Sequence, residues 1–133
     1  MSPLLTKLRY RPGMRVCVLD APSGFAAELA NLPKTIECTT ALKGPFDLVH
    51  AFFTRKSQVQ RSAAKLKKAL QPDGILWISY PKGDTLSTDL KRDVLRDTLA
   101  AAGLDSVAQV AIDDVWSAMR FKLVQSPSTR TVA

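Results

Sequence analysis

Residues 16–26 read VCVLDAPSGFA. An apolar run from Val16 to Leu19 ends on Asp20, a turn holding Pro22 and Gly24 follows, and Phe25 opens a helix-like stretch. A buried strand that passes through a glycine-containing turn into a helix is the opening unit of an α/β fold, and ligands of such folds meet the backbone at that turn. The pattern predicts a strand over 15–20 and a short helix over 25–30, with Ser23 as its N-cap.

Downstream, strand and helix signals alternate. Strands are predicted over 34–39, entered from Pro33, and over 47–53 (DLVHAFF), separated by the turn residues ALKGP. A helix is predicted over 57–70: Ser57 and Gln60 fit a capping box, Val59, Ala63, Leu66 and Leu70 share one face, and Arg61, Lys65 and Lys68 another. QPDG ends it, and 74–80 (GILWISY) is a fourth strand. A further helix is capped by Ser87 or Thr88, turns Leu90, Val94, Leu95 and Leu99 inward, and stops at Gly103. The runs 107–112 and 115–124, joined at Asp113–Asp114, read as an antiparallel hairpin. The order β-α-β-β-α-β-α-β-β implies a mostly parallel sheet covered on both faces and closed by an antiparallel pair.

With 133 residues, 46% apolar and 23% charged, the chain reads as one globular domain over 1–124 with a disordered tail, QSPSTRTVA, over 125–133. No apolar run reaches the roughly 20 residues that span a bilayer. Lys7, Arg9 and Arg11 interrupt any signal-peptide core, so a cytoplasmic protein is expected. Cys17 and Cys38 read as small buried hydrophobes, and with a single histidine no metal site is visible. His50, mid-strand, reads as structural. Asp113 and Asp114 read as turn residues, and Trp77 and Trp116 as packing residues. The net charge of +7 resides in residues 1–80. Without a recognition motif or an aromatic stacking platform beside the basic helix, the sequence argues against nucleic acid and for a solvated face.

Three stretches carry a resemblance. RVCVLDAPSG is similar to the first strand and cofactor loop of class I adenosylmethionine-dependent methyltransferases, PFDLVHAF to their "fDlV" strand, and LKKALQPDGILWIS to the segment leading into the next strand. The whole chain resembles most closely a set of small bacterial proteins grouped as a domain of unknown function, through residues 12–16, 18–25, 44–50, 70–82 (with Gln71 in place of a lysine) and 113–121. The resemblance implies a reduced Rossmann-like, methyltransferase-like α/β fold.

The departures from that pattern matter for activity. Of three expected loop glycines only Gly24 remains, since Pro22 and Ala26 occupy the other places. The second strand ends on Cys38–Thr39–Thr40 without a carboxylate for ribose, and residues 39–45 are too few for the strand–helix unit that normally follows. The sequence therefore favours a non-catalytic binding or interaction module with no cofactor. A small methyltransferase with an unusual S-adenosylmethionine loop and a basic nucleic-acid binder are its rivals. If the strand order follows the resemblance, any ligand would meet the switch point between the first strand and 47–53. Candidate cofactor-binding residues there are Asp20, Ser23, Gly24, Phe53, Thr54 and Arg55, with Lys56, Tyr80 and Lys82 nearby, facing a small anionic ligand or a protein partner. Loss of an outer strand exposes 34–39 as a sheet edge, so a homodimer or a covering N-terminal segment is expected.

Overall fold

In the computed structural model, which describes residues 1–83 and 85–124, the two most continuously apolar runs lie side by side. These are β1 (Arg15–Leu19) and β3 (Phe46–Phe52), the second buried at every residue but Asp47. A strand buried on both faces reads as an unbroken hydrophobic run, which is why neither shows a period of two. β2 (Glu37–Thr39) flanks β1, and β4 (Leu70–Pro81) flanks β3, all in parallel. β5 (Leu104–Ala111) and β6 (Trp116–Leu123) form an antiparallel hairpin that joins β4 through β6, so the sheet order is β2-β1-β3-β4-β6-β5. The fold is thus the predicted mixed α/β sheet with a terminal hairpin. No element separates β2 from β3 along the chain.

Helices cover both faces. On one lie α1 (Pro3–Lys7) and α2 (Ser23–Leu29), whose Leu5 and Phe25 are buried with Leu8, Tyr10, Val16, Val18, Leu48, Phe52 and Trp77. On the other lie α3 (Lys56–Ala69) and α4 (Arg92–Ala100), with Val59, Leu66, Leu95 and Leu99 packed on Val49, Ala51, Ile78 and Met119.

Several element ends differ from the sequence expectation. Ser23 is the first helical residue of α2 rather than its cap; Pro22 holds the cap position with φ −67°, and no side chain closes it. The α3 start is closed by Gln58, not by Ser57 and Gln60: its Oε1 accepts from the backbone N–H of Thr54 (2.8 Å) and Arg55 (2.9 Å). β2 keeps only the end of the predicted 34–39 strand, and α4 begins at Arg92, after a short 3₁₀ turn at Thr85–Ser87. Cys38 is exposed, contrary to the expectation of burial, because β2 is an edge; Cys17 is buried as expected. α1, which the sequence did not predict, lies on a sheet face with Leu5, Leu8 and Tyr10 rather than along that edge. The tail over 125–133 lies outside the described residues.

Candidate functional site

Parallel strands deliver their C-terminal ends to one rim of the sheet, where ligands of open α/β folds bind. At this rim β1 ends in a sharp turn: Asp20 has φ +58°, a left-handed conformation that short polar residues tolerate better than others. That turn opens a cleft of about 650 Å³ between the ends of β1 and β2 and the flank of α2. Val18, Leu19, Ala26 and Leu29 give it apolar walls, while Asp20, Thr39 and Thr40 supply polar groups, and among the described residues Asp20 is its one charged lining residue. The volume falls in the range of small-molecule sites.

The crevice between β1 and β3, which the sequence marks as the switch point, is instead filled. Phe25 packs edge-on against His50 (centroids 4.9 Å) and beside Phe52 (5.1 Å); His50 stacks on Phe52 at 4.5 Å. His50 is fully buried, with Nδ1 3.0 Å from the Tyr10 hydroxyl and Nε2 2.6 Å from Ser79 Oγ. Burial pushes its pKa down to about 3, so the ring is neutral at physiological pH. One ring nitrogen therefore donates and the other accepts, which suits a structural histidine satisfied on both sides.

The predicted site residues divide accordingly. Asp20 lines the cleft. Ser23 and Gly24 are exposed on the first turn of α2, and a Cβ built on Gly24 would meet nothing within 4 Å. Phe53, Thr54 and Arg55 do not join them. Phe53 is buried in the core under α3 and α4, and its backbone N–H donates to Ser79 O. The Thr54 and Arg55 amides are spent on Gln58, Thr88 Oγ1 donates to Thr54 O, and the Lys56 N–H donates to Asp89 Oδ1 at 2.9 Å. The amides of Thr54, Arg55 and Lys56 at the α3 start are thus taken up by the protein itself. Tyr80 and Lys82 belong to a different cavity, beside α4.

Sequence reasoning missed Thr39, Thr40, Ala26 and Leu29 as cleft residues. The available signal was position, since residues just after a parallel strand face the ligand rim whether or not they carry charge. Among the described residues no cluster of histidine, cysteine or carboxylate side chains could hold a metal, and no helix is long and apolar enough to cross a membrane.

No family model matches the chain, nor does any curated protein. Solved structures do. A SAM-dependent methyltransferase from Aquifex aeolicus superposes with a TM-score of 0.67 at 13% identity, covering 91% of this chain and 88% of that one. A ribosomal protein L11 methylase from Lactobacillus delbrueckii subsp. bulgaricus gives 0.60 at 13% identity, covering 92% and 77%. A 1,6-didemethyltoxoflavin-N1-methyltransferase from Burkholderia thailandensis, solved with bound 1,6-didemethyltoxoflavin and S-adenosylhomocysteine, gives 0.60 at 14% identity, covering 92% and 75%. At these identities the likeness shows the fold, a Rossmann-like methyltransferase fold.

Proposed function

We propose that this chain binds S-adenosylmethionine in the cleft between β1, α2 and β2, and that it is a small methyltransferase built on a shortened sheet. The observation that carries the reading is the cleft itself: about 650 Å³ at the ends of two parallel strands, apolar on its walls, with the carboxylate of Asp20 among its lining groups. The neighbours of the same fold named above are methyltransferases, and one holds S-adenosylhomocysteine.

The residues present suit that ligand. Leu19, Ala26 and Leu29 would pack a flat nucleoside base, while Thr39, Thr40 and Asp20 would bond ribose hydroxyls. Among the described residues no lysine or arginine lines the cleft, which is chemically matched to a ligand whose adenosyl end is neutral and whose sulfonium is positive. When bound, that cofactor supplies an electrophilic methyl group. The losses that weigh against it in the sequence are milder in three dimensions. Pro22 sits at the helix cap, and the ring's fixed φ fits its −67° there. Ala26 lines the cleft with a methyl group, and Thr39 and Thr40 stand where a carboxylate is missing.

Titration calorimetry tests the reading. S-adenosylmethionine and S-adenosylhomocysteine bind saturably with Kd below about 100 μM. Asp20→Asn keeps the left-handed backbone and weakens binding about tenfold, and Ala26→Trp fills the cleft and abolishes it. Heats indistinguishable from dilution would overturn the proposal. A second reading, binding without transfer, is favoured by one observation: Phe25, His50 and Phe52 close the crevice beside the cleft. It is separated by chemistry, since it predicts binding with no S-adenosylhomocysteine formed in the presence of candidate acceptors.

A further inference from the structure

A second cavity, of about 510 Å³, lies on the other face of the sheet between the β4 end, the start of α4 and the β5–β6 hairpin. Among the described residues it shares none of its lining with the β1–β2 cleft. Its floor is made of Tyr80 and Ser117, both at least nine-tenths buried, on the neighbouring strands β4 and β6, where they pair directly. Gln109 on β5 spans them: its Nε2 donates to the Tyr80 hydroxyl at 2.7 Å and to Ser117 Oγ at 3.1 Å. One side-chain amide nitrogen carries two hydrogens, and both are used here. Each hydroxyl is therefore fixed as an acceptor from Gln109, and its own hydrogen has no acceptor among the described residues. Two buried hydroxyls that line a cavity and each hold an unused donor define a site built for an acceptor.

The walls have the matching charge. Among the described residues Lys82, Lys91 and Arg92 line the cavity, with Asp93 as the carboxylate beside them. Arg92 Nε pairs with Asp93 at 3.3 Å, and Lys91 Nζ donates to Gly83 O at 2.7 Å, so both are held at the mouth. Lys82 is anchored through its backbone N–H to Val115 O at 2.7 Å, and its ammonium makes no ion pair among the described residues. α4 begins at Arg92 without a side-chain cap, which adds first-turn N–H donors to the same side.

We propose that this cavity binds a phosphate monoester. The two hydroxyl hydrogens and the Lys82 ammonium hold the phosphoryl oxygens, and the Tyr80 ring with Ala111 packs the organic part. A phosphate offers three oxygens to these convergent donors, and at this volume the cavity exceeds what a bare phosphate would fill. The ligand is a non-covalent occupant, and no bond is made or broken.

The test is calorimetric, on the full chain, with phenyl phosphate, inorganic phosphate, benzoate and phenol as probes. Phenyl phosphate binds saturably, inorganic phosphate more weakly, benzoate at least about tenfold more weakly, and phenol not at all. Tyr80→Phe and Lys82→Ala each weaken phenyl phosphate about tenfold. Both leave S-adenosylmethionine titrations unchanged, which also separates failure here from failure of the cleft. Ser117→Ala gives a second removal of one hydroxyl where Tyr80→Phe unfolds the protein. Lys68→Ala, on the exposed face of α3, changes nothing. No saturable binding, equal affinity for benzoate, or a loss in Lys68→Ala as large as in Lys82→Ala would each overturn the assignment.

Discussion

His50 shows how one side chain can look catalytic and be structural. It has a hydroxyl on each ring nitrogen, yet it is fully buried against Phe25 and Phe52. Its depressed pKa makes it a pH reporter. The unfolded chain takes up a proton at this ring as pH falls through about 6.5, whereas the folded state does so only near 3. Stability from the neutral ring is thus complete above about 6.5 and is lost as pH falls, at roughly 1.4 kcal/mol per pH unit below it, until the folded pKa is reached. As the chain has a single histidine, its ring proton resonances report this alone. They stay those of a neutral imidazole from pH 8 to pH 5, and a midpoint near 6.5 would contradict the burial. Trp77 makes a second residue-scale prediction. Its Nε1–H donates to Leu8 O at 2.7 Å and so pins the segment after α1 to the sheet. Trp77→Phe leaves that carbonyl without its donor and lowers unfolding stability by about 2 kcal/mol or more, read by urea denaturation. From sequence, both residues were legible as structural. Their partners, Tyr10 and Leu8, were not, because no local pattern couples residue 50 to residue 10 or residue 77 to residue 8.

Among the elements, α3 separates the sequence pattern from the geometry most sharply. Ser57 and Gln60 fit the capping-box spacing, but the chain enters the helix two residues earlier, and Gln58 is the side chain that turns back to Thr54 and Arg55. Gln58→Ala therefore costs about 1 kcal/mol, while Gln60→Ala, on an exposed position, is close to neutral. The reverse ranking in chemical denaturation would restore the original cap. The "fDlV" stretch has an equally local explanation. Asp47 Oδ2 accepts from the Arg15 N–H at 2.8 Å, joining the starts of β1 and β3, while the Arg15 guanidinium meets Pro45 O, Glu37 and the Phe46 ring. Gly44, just before it, runs against the end of α3, where a Cβ would come 2.4 Å from Ala69 O. The likeness of this stretch to methyltransferase sequences is thus a likeness of folding constraints, and it carries no chemistry. Strand ends were less legible. β2 shrank to three residues because it has a partner on one side only, and a propensity-based reading cannot see which strand will be an edge.

For the molecule as a whole, the order of elements was readable because strands and helices alternate with different periods, and a mostly parallel sheet covered on both faces follows from that alternation. Absence of a strand–helix unit between residues 39 and 45 was readable from length alone. Its consequence was not: with that unit gone, the β1–β2 cleft stands at the sheet's margin, beside an edge strand of three residues. The sequence pointed to the crevice between β1 and β3; that Phe25, His50 and Phe52 fill it was not legible, because they are dispersed along the chain and only the folded sheet brings them together. The two cavities lie on opposite faces, over α2 and beside α4, so a ligand in one leaves the other open. The cleft is the central claim, and amide chemical shifts recorded on isotope-labelled protein during addition of S-adenosylmethionine test it most directly. The account predicts saturable shifts concentrated at Leu19, Asp20, Ala21, Ala26, Thr39 and Thr40, with Tyr80, Gln109 and Ser117 unmoved. An unchanged spectrum at millimolar ligand, or shifts centred away from the ends of β1 and β2, would contradict it.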